Sequence, residues 1–186
     1  MKELNVLIVG VGGQGTLLAS RVLGKYALEG GYDVKLSEVH GMAQRGGSVM
    51  TYVRIGENIA SPIIDEGGAD LLLAFEKLEA LRYLHYLKQG GTVLYSTQEI
   101  MPMPVVTGAA QYPAGIEEVL GCAGIDALSL ALEAGNSNAA TAVMLGALCR
   151  RLGFDREKFE SALLSSIPQK TVEMNKKAFA LGYAAA

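Results

Sequence analysis

The apolar run from Leu4 to Val9 leads directly into Gly10-Val11-Gly12-Gly13-Gln14-Gly15, and this junction constrains the chain more than any other feature. A run this short and this apolar fits a strand buried on both faces. Glycines spaced G-x-G-x-x-G lack Cβ atoms, so the backbone can turn sharply from a strand into a helix. The helix that follows reads from about Gln14 to Leu28. Leu18, Val22 and Tyr26 lie four apart there, and Gly30-Gly31 supplies a stop. Strand, glycine turn and helix make a Rossmann-like start.

The pattern then alternates. Asp33 to Val39 reads as a second strand, and Val49 to Ile55 as a third, rich in β-branched and aromatic residues. Gly56-Glu57-Asn58 suggests a hairpin turn returning through Ile59 towards Ser61-Pro62. Leu71 to Phe75 reads as a buried strand, Glu76 to Leu87 as a helix, and Thr92 to Ser96 as a strand after a break at Gly90-Gly91. Pro102 and Pro104 push the next piece into extended form. Helices are expected at Ile116 to Leu120, Ser137 to Leu152, Asp155 to Ser165 with Asp155 as N-cap, and Val172 to Leu181. Strands alternating with helices build a parallel sheet covered on both faces. The expected fold is a three-layer α/β/α sandwich with a mostly parallel, mixed sheet. The chain shows no internal repeat, so residues 1–186 are read as one domain.

Composition removes several classes. Sixteen basic and 19 acidic residues leave a net charge of −3, which argues against nucleic-acid binding through a broad basic patch. No stretch of about 20 uninterrupted apolar residues speaks for a membrane span, and a reducing cytoplasm is the expected location. Cys122 and Cys149 form no CxxC pair, and His40 and His85 are the only histidines. Those four residues supply neither a disulfide framework, nor four thiolates for an iron–sulfur cluster, nor a zinc site of ordinary spacing.

Two glycine-rich loops are the candidate sites. At the first, Gly10, Gly12, Gly13, Gln14 and Gly15 can bring backbone amides and a helix N-terminus to a phosphate. They can equally serve only tight packing against a loop or partner. Glu38, 23 residues beyond Gly15, is a possible ribose ligand for a stand-alone dinucleotide enzyme, the alternative reading. The second loop, His40-Gly41-Met42-Ala43-Gln44-Arg45-Gly46-Gly47-Ser48, imitates P-loop spacing. Gly47 stands where the phosphate-reaching lysine is needed, and a strand rather than a helix follows, so nucleotide hydrolysis is not indicated. Arg45 offers a fork for an anion, Gly46 and Gly47 can aim amides, and His40 and Gln44 add polar groups; a solvated surface loop is the bland alternative. No nucleophile is placed to use His40 as a base. The apolar run Ala139 to Leu148 is a helix buried on most sides, in the core or under another subunit, with Ala142, Gly146 and Cys149 permitting close approach.

Together these segments resemble a known family. Gly10 to Gly15, Glu38 to Ser48, and Gly135-Asn136 ahead of Met144-Leu145-Gly146-Ala147 look like the gamma-type module of the 2-oxoacid:ferredoxin oxidoreductases. The His40 to Gly47 loop and Ala69 to Glu76 look most like the beta subunit of indolepyruvate:ferredoxin oxidoreductase. The resemblance implies an accessory subunit rather than a free-standing enzyme. A large partner would carry thiamine diphosphate and iron–sulfur clusters, pass electrons to ferredoxin and deliver the acyl group to coenzyme A. Carried onto this chain, the two glycine loops become candidates for lining the shared site, with Arg45 and backbone amides suited to coenzyme A phosphates. A homodimer is a further partnership open to the chain. Relatives often carry Asn where this chain has Thr141, so no role is carried onto Thr141.

Overall fold

A computed structural model of the chain describes residues 3–41 and 46–186. The elements run β1 (Leu4–Val11), α1 (Thr16–Glu29), β2 (Asp33–His40), β3 (Ser48–Gly56), β4 (Ala69–Ala74), α2 (Lys77–Arg82), β5 (Leu87–Tyr95), α3 (Met103–Val106), α4 (Ile116–Leu120), α5 (Ala127–Ala134), α6 (Ala140–Leu152), α7 (Arg156–Leu164) and α8 (Val172–Ala185). The sheet order is β2-β3-β1-β4-β5. β1 pairs in parallel with β4, and β4 with β5. β3 runs antiparallel to both β1 and β2, so it alone opposes the other four strands. The sheet is mixed and mostly parallel, as its sequence pattern indicates.

Side chains alternate across the pleat and build two cores. Val6, Ile8, Val53, Ile55, Leu71 and Leu73 face α1, α5, α6, α7 and α8. Leu7, Val9, Tyr52, Leu72, Ala74 and Tyr95 face the thinner layer around α2 and α4. β1 and β4 are thus apolar on both faces, which is why Leu4 to Val9 and Leu71 to Phe75 read as unbroken apolar runs. Each such aliphatic side chain contributes about 1.5–3 kcal/mol through burial.

Four local expectations are corrected. No strand returns after Gly56: β3 already has neighbours on both edges, and the chain turns away so that the Ile59 amide donates to Asp33 Oδ2 at 2.9 Å. Gly90 and Gly91 lie inside β5 rather than before it; Gly90 takes φ +75°, and the register against β4 shifts between Ala69 and Leu71. A left-handed glycine at a bulge bends a strand without ending it. The helix after β4 stops at Arg82, followed by a single 3-10 turn. Pro102 is extended, yet Pro104 sits in the first turn of α3, where its missing N–H is not needed. Helix α5 was not expected from the sequence; its signals are Asp126, whose carboxylate accepts from Ser129 N at 3.0 Å, and Gly135 at the stop.

Helix α6 is a core helix, buried at every position from Thr141 to Cys149. Close approach is made by glycines on facing helices. A Cβ on Gly146 would lie 2.1 Å from the Phe179 carbonyl oxygen, and one on Gly182 would lie 1.9 Å from that of Val143. Burial pushes the Cys149 thiol up to about 11. Among the described residues no helix is long and apolar enough to cross a membrane.

Candidate functional site

The direction of crossover reverses between β1 and β4. From β1 the chain leaves through α1 on one face towards β2; from β4 it leaves through α2 on the other face towards β5. A crevice opens at the carboxyl ends of strands at such a point. Here it has a volume of about 500 Å³. Gly13, Gln14 and Gly15 form one wall, Phe75, Ser96 and Gln98 the strand ends, and Leu128, Asn138, Thr141 and Met144 the helical side.

Gln14 is the residue that closes the strand ends together. Its Oε1 accepts from Val11 N at 2.7 Å, while Nε2 donates to the Phe75 carbonyl and to Gln98 Oε1, both at 3.0 Å. One amide therefore ties the ends of β1 and β4 to the segment after β5. Gly15 takes φ +92° as the N-cap of α1, and its bare Cα lets the Thr141 hydroxyl reach the Gln14 carbonyl at 3.1 Å. Gly10 is the last but one residue of β1, and a Cβ there would meet Gln14 Oε1 at 3.0 Å and Phe75 Cβ at 3.1 Å. These two glycines serve packing. Gly13 does not: it has φ +103°, and a Cβ on it would meet nothing within 4 Å.

The two glycine loops are joined. Gly12 N donates to the Gly47 carbonyl at 2.8 Å, and Gly46 N donates to the Gly12 carbonyl at 3.4 Å. A second cavity, about 340 Å³, lies beyond Gly13 and is lined by Gly12, Gly13, Thr16, Leu17, Glu38, His40 and Val49. His40 thus comes to the first glycine turn, with its Nδ1 3.1 Å from the Gly41 carbonyl oxygen. Ser48 does not join them. It points to the opposite face of the sheet, where its hydroxyl donates to the Glu79 carboxylate and lies 3.0 Å from the Tyr83 hydroxyl. Gln44 and Arg45 lie outside the described residues. Thr141, Ser96 and Gln98 are crevice residues that sequence reasoning missed; Gly135-Asn136 before an apolar helix was the available signal for the first, and nothing local marks the other two.

The strand order departs from that of a stand-alone dinucleotide enzyme at its ribose ligand. That role needs an acidic residue on the strand beside β1. Antiparallel β3 stands between β1 and β2, which moves Glu38 one strand further out, about 5 Å beyond the usual place.

Among the described residues, none that lines the crevice carries a charge. Glu76 sits close behind it, 1% exposed at the N-cap of α2, where its carboxylate accepts from Glu79 N at 2.8 Å and Ile100 N at 3.0 Å. Burial raises its pKa above the usual carboxylate value, against the pull of those amides. Among the described residues the crevice hydroxyls of Ser96 and Thr141 have no histidine or carboxylate as hydrogen-bond partner. Such a site can hold and orient a ligand through amides, hydroxyls and apolar contact. Among the described residues it contains no nucleophile–base pair.

A switch-point crevice of this kind on a mixed sheet defines a Rossmann-like binding module. Residues 5–185 match the family model for pyruvate ferredoxin/flavodoxin oxidoreductase. Indolepyruvate oxidoreductase subunit IorB of Thermococcus kodakarensis is 45% identical over 196 residues, spanning all of this chain and 97% of that protein. IorB of Archaeoglobus fulgidus is 39% identical over 97% of this chain and 94% of its own length. The crystal structure of a keto/oxoacid ferredoxin oxidoreductase gamma subunit from Geobacter sulfurreducens superposes with a TM-score of 0.74 at 25% identity, covering 98% of both chains. The 2-oxoglutarate:ferredoxin oxidoreductase of Magnetococcus marinus, solved with 2-oxoglutarate, coenzyme A and succinyl-CoA bound, shares the fold at a TM-score of 0.78 and 20% identity; this chain covers 31% of that longer one. The chain belongs to the pyruvate ferredoxin/flavodoxin oxidoreductase family, as a gamma-type module, and the resemblance read from its glycine loops is borne out.

Proposed function

We propose that this chain is the small subunit of an indolepyruvate:ferredoxin oxidoreductase, and that its switch-point crevice forms part of the wall along which coenzyme A reaches the reaction centre. The observation that carries the reading is the crevice itself: about 500 Å³, walled by glycine backbone and side-chain amides, with no charge and no acid–base pair among the described residues that line it. Coenzyme A fits that lining through its uncharged amide-bearing arm. Gly13 supports the fit, because its left-handed backbone leaves room that none of the described residues fills. The charged end of the ligand needs a cation and free donors, for which Arg45 and the amide of Gly47 are the candidates.

Thiamine diphosphate and iron–sulfur clusters on a large partner subunit supply decarboxylation and electron transfer to ferredoxin. This chain binds and orients, and excludes water around the acyl acceptor. The location that goes with such a complex is the cytoplasm.

The test is reconstitution. The isolated chain should show no turnover, and addition of the large partner should restore indolepyruvate- and coenzyme A-dependent ferredoxin reduction. Arg45→Ala should raise the KM for coenzyme A by about tenfold with kcat within threefold, the signature of lost uniform binding. Full activity of the partner without this chain would refute the reading.

A further inference from the structure

Thr141 enters the crevice wall from α6, 127 residues away in sequence from the turn that it touches. The residue is 5% exposed. The hydroxyl donates to the Gln14 carbonyl oxygen at 3.1 Å, and a Cβ on Gly15 would lie only 2.1 Å from Thr141 Oγ1. Two separate holds therefore act on one residue. The side-chain amide of Gln14, tied to Val11, Phe75 and Gln98, fixes where the turn sits on the strand ends. That hold leaves the peptide between Gln14 and Gly15 free to rotate, because glycine at 15 imposes no torsional preference of its own. Among the described residues only Thr141 grips the carbonyl of that peptide. Both Gln14 and Gly15 line the crevice, so rotation of their peptide would exchange a carbonyl for an amide on its wall.

We infer that Thr141 is a positioning residue for the acyl-acceptor site: its hydrogen bond to the Gln14 carbonyl sets the orientation of the Gln14–Gly15 peptide and so the pattern of donors offered to coenzyme A. The inference rests on the coenzyme A reading above. The structure gives position 141 a contact that Thr, Ser or Asn can make and Val cannot.

The experiment compares Thr141→Val, which keeps the volume and loses the donor, with Thr141→Ser, which keeps the donor, in the complex with the large partner. Thr141→Val is expected to raise the KM for coenzyme A about fivefold, with kcat within twofold and the KM for the 2-oxoacid unchanged. Thr141→Ser is expected to stay within twofold of the parent on all three. Hydrogen exchange on the same complexes without ligand is expected to quicken in the peptide spanning residues 14–18 for Val and not for Ser. Unchanged exchange in Thr141→Val overturns the inference; so does a variant that loses thermal stability and kcat while the KM for coenzyme A stays put. If Thr141→Val does not assemble, Thr141→Cys, a weak donor of similar shape to serine, carries the same comparison. Absence of any coenzyme A-induced protection at residues 12–18 in the parent complex would instead defeat the coenzyme A reading, and the ligand-free exchange would still decide whether Thr141 holds the turn.

Discussion

Gly15 and Glu76 show how single positions at the strand ends are constrained. Gly15→Ala puts a Cβ into the left-handed region and against Thr141 Oγ1, and the backbone strain alone costs about 1–2 kcal/mol. The variant should lose more than that in denaturant titration. Pairing it with Thr141→Ala should recover the contact part and leave the strain. Gly13→Ala, with none of the described residues within 4 Å of the added methyl, should show the strain only. Glu76 gives a pH test. Its folded-state pKa is raised above the ordinary 4.5, so the native state holds this proton more tightly than the unfolded chain. Its contribution therefore falls as pH rises from about 4.5 through the raised value. Glu76→Gln should remove that segment of the stability–pH curve. It also loses one of two acceptor oxygens, Oε1 and Oε2 serving different amides, and should cost about 1–3 kcal/mol near pH 7. A curve parallel to the parent above pH 4.5 would rule out Glu76 as its source.

Helices α6 and α8 cross at the two glycines, and there the usual propensity rule reverses. Gly→Ala inside a helix ordinarily gains about 1 kcal/mol. Gly146→Ala and Gly182→Ala each push a methyl into backbone of the facing helix, which cannot yield as a side-chain tip can. Each should destabilise by about 1–3 kcal/mol or more in chemical denaturation, the range for overpacking. A gain in stability for either would mean that the helices sit further apart than described. The elements that were legible in the sequence are those set by local chemistry: β1 from its apolar run, α1 from its i, i+4 series, α7 from the Asp155 cap, whose carboxylate accepts from Lys158 N at 3.1 Å. Those that were misread depend on distant partners. Gly56 looks like a hairpin turn until β1 takes the free edge of β3, and Gly90-Gly91 looks like a break until β4 offers a bulged ladder.

The two cores share β1 and β4, so loss of either face exposes strands that the other needs. Unfolding is expected as one transition. Cys149 is fully buried in the larger core and Cys122 half-buried beside the smaller, which gives a probe for each. Thiol labelling of Cys149 should track the global transition seen by circular dichroism, while Cys122 labels ahead of it through local opening. Early labelling of Cys149 would show that the α6–α8 layer comes away independently.

By itself the sequence determined the strand–glycine–helix start, the α/β class, the absence of charge on the buried runs and the two loops worth watching, because periodicity and backbone permissiveness are local properties. It also placed the chain in its family through those loops. Tertiary structure alone decided that antiparallel β3 separates Glu38 from β1, that Ser48 faces away from the other loop residues, and that Gln14 and Thr141 grip the same turn. Strand order and side-chain facing are settled by contacts between residues distant in the chain, and no window of sequence contains both partners.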